Sequence, residues 1–256
     1  MSSLLAAAAS LLVFCAPGYP GTSGDAQPLV AQFATALGAA AGWPAGSLEA
    51  VYDASEKSDL ERLAAADAAL AFVPYPFFVQ HGAAVHMVPL AQADVVPVGI
   101  QQRWTLVMRP GHAPLPGGLA GLGIISTAGY AQDFVRDVLR EAGPLPAGTA
   151  VAPTGQVLSA LRRAANGEPI AVLLDQEQAA ALASLPFAAN LQVAATTAAV
   201  PVALIVTVDN RMPKARAQVL QQALLKLSGT PAGAAALGRL RLNGFVLPRL
   251  PPAPKS

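Results

Sequence analysis

The chain has 256 residues, a formal net charge of +1, 54% hydrophobic residues and 12% charged ones. Such a balance supplies no basic field for nucleic acid and no acidic tail, while the length suffices to bury a large core in one domain or in two lobes. Cys15 is the only cysteine, so no internal disulfide forms and cysteine usage leaves the redox compartment open. Mean hydropathy is positive, yet no uncharged apolar run reaches the ~20 residues that a spanning helix needs. The longest candidate starts at Leu4 and is interrupted by Pro17-Gly18.

Residues 1–10 resemble the end of a secretory signal, with small residues at Ala7 and Ala9 and no preceding Lys or Arg. A truncated leader and a modified mature end both fit, and export is the expectation. Leu11 to Ala16 reads as a strand, followed by a loop of turn formers from Pro17 to Asp25. Pro28 suits the first turn of a helix whose Leu29, Val30, Phe33 and Leu37 share one face, and which fades at Gly42. Leu48 to Tyr52 is a second strand. Ser55 starts a second helix with Leu60 and Leu63 inward, and Ala68 to Val73 is a third strand ended by Pro74-Tyr75-Pro76. This β-α-β-α-β alternation predicts a parallel sheet with helices on its faces.

Trp104 to Met108 is the next strand, and Gly117 to Gly121 a turn. Leu122 to Ile125 is a short buried strand that runs into Ser126-Thr127-Ala128-Gly129-Tyr130 and a helix through Glu141. Ser126 or Thr127 is a natural N-cap for that helix. Its free amides and dipole make an anion site with hydroxyls beside it, and plain helix capping is the competing reading. Thr149 to Val151 is a strand, and a helix opens at Thr154-Gly155-Gln156 and ends by C-capping at Asn166-Gly167. Ile170 to Leu174 is a strand, with a helix starting at Asp175. Strands at Leu191 to Ala195 and Val202 to Val208 flank Thr196-Thr197, helices follow at Pro213 to Leu227 and from Thr230-Pro231 to Leu240, and Asn243 to Pro248 closes the chain before a Pro-rich tail.

Four separated stretches carry a further signal: Ala68 to Val73 with its Pro/Tyr loop, Leu119 to Tyr130, Leu158 to Val172, and Gly233 to Val246. In this order and spacing they resemble the phosphate/phosphonate-type solute-binding proteins of ABC transporters, over roughly Leu11 to Pro248. The resemblance implies an α/β class and the two-lobed periplasmic binding protein fold, type II. Each lobe would be a mostly parallel sheet flanked by helices, and two crossover strands would join them. Lobe I would hold 11–103 and 198–250, lobe II 104–197, with 251–256 a disordered tail. A small anionic ligand would sit in the cleft, held by Ser126, Thr127 and the amides of Ala128, Gly129 and Tyr130. Ala128 stands where the family has a second serine, so one hydroxyl is lost, and Phe78 stands where it often has a tyrosine.

Further candidates follow from the ends of strands. Tyr19 and Tyr75 lie on the loops after the first and third strands, where a ligand contact and packing on their own lobe both fit. Gln156 occupies the place where aminophosphonate binders of the family carry an acidic or His residue, and its neutral amide predicts a ligand without an essential amine there. Asp175 either faces the cleft or caps the following helix, the cap being preferred. Thr197, in the second crossover, either reaches the ligand or packs the crossover. The family implies periplasmic location, a monomer, and an ABC permease or a membrane sensor kinase as partner. An enzyme on the same fold, as in some menaquinone-pathway proteins, is a third reading. No catalytic residue, metal site or cofactor is expected. His81, His86 and His112 are scattered, Gly118, Gly121 and Gly123 precede a strand where a dinucleotide loop must follow one, and no serine sits in a Gly-x-Ser-x-Gly elbow.

Overall fold

The computed structural model describes residues 10–18, 23–111 and 117–251. Tyr19, His112, the leader-like segment to residue 9 and the tail from residue 252 lie outside the described residues. The chain opens with β1 (Ser10–Cys15), α1 (Ser23–Ala40), β2 (Leu48–Asp53), α2 (Glu56–Ala64), β3 (Ala68–Pro74), α3 (Tyr75–His81) and β4 (Val88–Val95). It crosses through β5 (Gln101–Gln102) into β6 (Thr105–Met108), β7 (Gly123–Ser126), α4 (Gln132–Leu139), β8 (Val151–Pro153), α5 (Val157–Ala165), β9 (Ile170–Leu174), α6 (Gln176–Ala181) and β10 (Gln192–Thr196). It returns through β11 (Val200–Pro201) to β12 (Ala203–Thr207), α7 (Lys214–Lys226), α8 (Pro231–Arg239) and β13 (Leu242–Val246).

Lobe I is a six-stranded sheet in the order β13, β4, β12, β3, β1, β2. β1 shows why it is an unbroken apolar run. Its side chains alternate between the two faces. Leu12 and Phe14 pack with Val30, Phe33 and Leu37 of α1, while Leu11, Val13 and Cys15 pack with Leu63 of α2 and Phe77 of α3. Both faces are dry, as in a strand covered by helices on each side. Parallel pairing is confined to β2, β1 and β3; the returning chain adds β12, β4 and β13 antiparallel. β4 was not expected from the sequence. Pro89 and Gln92 break the apolar pattern of a strand, but Gln92 is fully buried, donating to the Ile100 carbonyl at 2.6 Å and accepting from the Arg249 amide at 3.0 Å.

Lobe II is a five-stranded mixed sheet in the order β10, β6, β9, β7, β8. Trp104, Leu106, Ile124, Phe134 and Leu173 fill the α4 side; Val107, Leu161, Ala164 and Val172 fill the α5 side. β5 and β11 pair antiparallel between the lobes, so the two crossovers form one small ladder. Three boundaries differ from expectation. Ser10 belongs to β1 rather than to a leader remnant. α1 begins at Ser23, placing Pro28 in its second turn, with Asp25 in the first turn facing the positive helix end. The helix after β7 begins at Gln132, not at Ser126.

Candidate functional site

The chain that leaves β1 at Pro17, the β3–α3 junction at Pro74 and Pro76, Trp104 at the entry to β6, and Thr127, Ala128 and Tyr130 after β7 meet in one seam between the lobes, closed so tightly that it has no room for a water molecule. It lies beyond the carboxyl ends of β1, β3 and β7, where open α/β sheets hold ligands. The lobes meet there closely. Gly18, at φ +81°, lies so near the Thr127 carbonyl that a Cβ would come within 2.5 Å of that oxygen. Across the same interface Phe77 and Tyr130 approach at 6.4 Å between ring centroids, and Tyr75 and Phe134 at 6.2 Å, edge to face. Gln80 of α3 clasps the start of α4: its Oε1 accepts from the Asp133 amide at 2.9 Å and its Nε2 donates to Asp133 Oδ2 at 3.4 Å.

The adjacent hydroxyls of Ser126 and Thr127 have different fates. Ser126 ends β7 and is fully buried. Its Oγ donates to the Leu173 carbonyl at 2.8 Å and accepts from the Ala128 amide at 3.1 Å. It ties the turn to β9 and has no donor left for a ligand. The Gly129 amide donates to the Ser126 carbonyl at 3.1 Å, so two of the amides expected to face an anion are engaged within the turn. Neither Ser126 nor Thr127 caps α4, whose N-cap is Ala131 without a side-chain bond. The intervening turn is held by Gly129, where a Cβ would collide with the Ala152 carbonyl of β8. Thr127 is 6% exposed, and its Oγ1 is buried without a hydrogen-bond partner. Trp104, 1% exposed, has its indole Nε1 in the same condition. Both residues line the seam, and among the described residues no acidic or basic side chain does.

The remaining candidates fall elsewhere. Tyr75 is the first residue of α3 rather than a loop residue, because Pro74 leads directly into the helix. It lines a second, more open groove with Val79, Phe134, Asp137 and Arg249, and its hydroxyl is pushed up by burial and then by the nearby Asp137 carboxylate. Gln156 is exposed at the N-cap position of α5, its amide donating to Thr154 Oγ1. Asp175 caps α6 in a reciprocal box with Gln178, and burial raises its pKa while the Gln178 amide opposes that rise. Thr197 holds the crossovers together: its Oγ1 accepts from the Trp104 amide at 3.0 Å and donates to the Ala198 carbonyl at 2.8 Å. Trp104, Pro17, Pro74 and Pro76 were missed as lining residues. The signal for Trp104 was its position at the first crossover, where a large buried aromatic must abut the opposite lobe.

No protein-family model matches the chain, and no curated protein is detectably similar to it. Solved structures are similar. XAC2383 from Xanthomonas citri, bound to chloride ion, superposes with a TM-score of 0.69 at 14% identity, covering 94% of this chain and 92% of that one. PhnD1 from Prochlorococcus marinus in complex with methylphosphonate gives 0.61 at 15% identity and 93% coverage of both chains. A binding-protein component of an ABC phosphonate transporter from Pseudomonas aeruginosa gives 0.60 at 12% identity, over 94% of this chain and 82% of that one. At such identities the likeness establishes the two-lobed binding-protein fold.

Proposed function

We propose that this chain is an exported solute-binding protein that captures a small oxyanion or phosphonate-like anion between its lobes and delivers it to an ABC permease. The observation that carries the proposal is the buried, unpartnered Thr127 hydroxyl in a seam closed from both lobes. A buried polar group without a bond costs roughly 1–3 kcal/mol, a cost that a ligand oxygen would remove once the lobes part to admit it. Related observations support the same function. The fold closes by moving one lobe against the other, which expels water and strengthens neutral hydrogen bonds to an anion. The described lining residues offer no carboxylate, imidazole or thiol for chemistry, which favours binding over turnover. Two proteins of the same fold are described with an anion, chloride in one and methylphosphonate in the other. No helix of the described residues is long and apolar enough to cross a membrane, in keeping with delivery by a mobile carrier.

The test is a thermal-shift screen against phosphate, phosphite, methylphosphonate, methanesulfonate and chloride, followed by calorimetry. A ligand that binds only the native state stabilises it by about 2.7 kcal/mol at a hundred times its Kd. Thr127→Val keeps the shape and removes the hydroxyl, and is expected to weaken the best anion about tenfold. Equal affinity in the variant, or no anion raising the melting temperature, would overturn the proposal.

A further inference from the structure

Trp104 combines three properties that no other described residue of the seam shares. Its indole Nε1 is buried and has no hydrogen-bond partner, although a Trp N–H can only donate and is normally bonded when buried. Its ring is fixed, packed at 5.2 Å and 68° on Phe134 of α4. Its backbone is fixed too, because Thr197 in the other crossover accepts from the Trp104 amide at 3.0 Å through Oγ1 and donates its own amide to the Trp104 carbonyl at 2.9 Å. An unpaired donor is thus held on a residue that lines the seam, at the point where the two crossovers are tied together.

We infer that the Trp104 indole N–H is a specificity-determining donor of the interlobe site, one that demands an acceptor atom from the ligand and ties the bound ligand to the crossovers. The inference rests on the solute-capture reading above and adds to it the residue and the atom that choose the ligand. Thr127 donates or accepts, so by itself it tolerates either polarity. The indole accepts nothing. With no acidic side chain among the described lining residues to receive an ammonium, the site selects compact ligands presenting at least two acceptor oxygens. It rejects those that turn an N–H toward Trp104, since facing donors leave both groups unpaired.

The experiment replaces the N–H alone. Trp43 and Trp104 are the only tryptophans, and Trp43 lies away from the seam, under the Arg216 guanidinium at 4.2 Å. In a Trp43→Phe background, Trp104 is replaced biosynthetically by benzothienylalanine, in which sulfur takes the place of the N–H and ring shape is retained. Anion affinity is measured by calorimetry for the tightest ligand of the screen, beside Thr127→Val in the same background. The expected result is a loss of about tenfold in affinity for the anion, with the melting temperature of the ligand-free protein undiminished. A merely structural tryptophan would leave affinity unchanged, and that result overturns the inference. If Thr127→Val weakens binding while the sulfur analogue does not, solute capture stands and the role of Trp104 falls. If the native protein binds no anion, both fall together.

Discussion

Asp59 is a carboxyl group in the first turn of α2, fully buried, with neither oxygen bonded to a nitrogen or oxygen donor and the Cys15 thiol beside it. Burial raises its pKa from 3.8 to about 8, Asp53 and Glu56 add to the rise, and the neighbouring Cys15 thiol opposes it. The native carboxyl therefore keeps its proton through neutral pH, while the unfolded one loses it near pH 4. Across that interval the unfolded chain binds fewer protons, so stability is greatest at the acid end and declines as pH rises, by up to about 1.4 kcal/mol per unit. Asp59→Asn cannot ionise, and its urea-unfolding free energy should lack this slope between pH 5 and 7.5; parallel curves for the two proteins would disprove the assignment. Cys15 is buried in its apolar strand, its pKa pushed up by burial and by the Asp59 charge. Asp59 was invisible as a core residue, because an Asp in a first helical turn ordinarily serves the helix dipole from outside. The contrast between Ser126 and Thr127 was equally hidden. Sequence shows two hydroxyls at a strand end, but which one the sheet absorbs depends on a carbonyl of β9 far away in the chain.

The turn from Thr127 to Ala131 sets the geometry of lobe II at the seam. A strand leading straight into a helix was the economical expectation, and hydroxyl residues at the junction supported it. The extra length arises from packing: Gly129 passes against the Ala152 carbonyl, and Ser126 is drawn to Leu173. Gly129→Ala should destabilise the protein by roughly 2–4 kcal/mol, because a rigid backbone rather than a flexible side chain meets the new methyl. Urea unfolding would measure it, and a change below about 0.5 kcal/mol, the range of ordinary surface substitutions, would mean that β8 yields freely. Elements governed by local chemistry were legible. The Asp175–Gln178 box is written in four consecutive residues, and the Val30, Phe33, Leu37 stripe of α1 needs only helical spacing. β4 was not legible, since its Pro89 and buried Gln92 make sense only beside β12 and the crossover carbonyl of Ile100.

At the scale of the molecule, the two-lobed plan followed from alternating strands and helices together with the order of four family-like stretches. The interface between the lobes could not be read, because it joins α3 and α4 through surfaces with no shared sequence pattern. Gln80 is one of its polar elements, beside the ion pair of Arg241 with Glu177 of α6 at 3.0 Å. The Gln80 side chain satisfies an amide at the α4 N-terminus that would otherwise face water. Gln80→Ala should shift the ligand-free protein toward the open form and raise its radius of gyration by small-angle scattering, with saturating anion restoring the compact value, since ligand and clasp favour the same state. An unchanged radius would assign closure to the aromatic contacts and the Arg241–Glu177 ion pair. The pairing of β3 with β12 has a different consequence. A central strand of lobe I comes from near the end of the chain, whereas every strand of lobe II lies within one continuous segment. On a ribosome the second lobe is thus complete while the first still waits for a partner to β3 and β4. Synthesis imposes an order of assembly opposite to the order of the lobes in the sequence, and a nascent chain halted before β12 would hold two hungry sheet edges open to self-association.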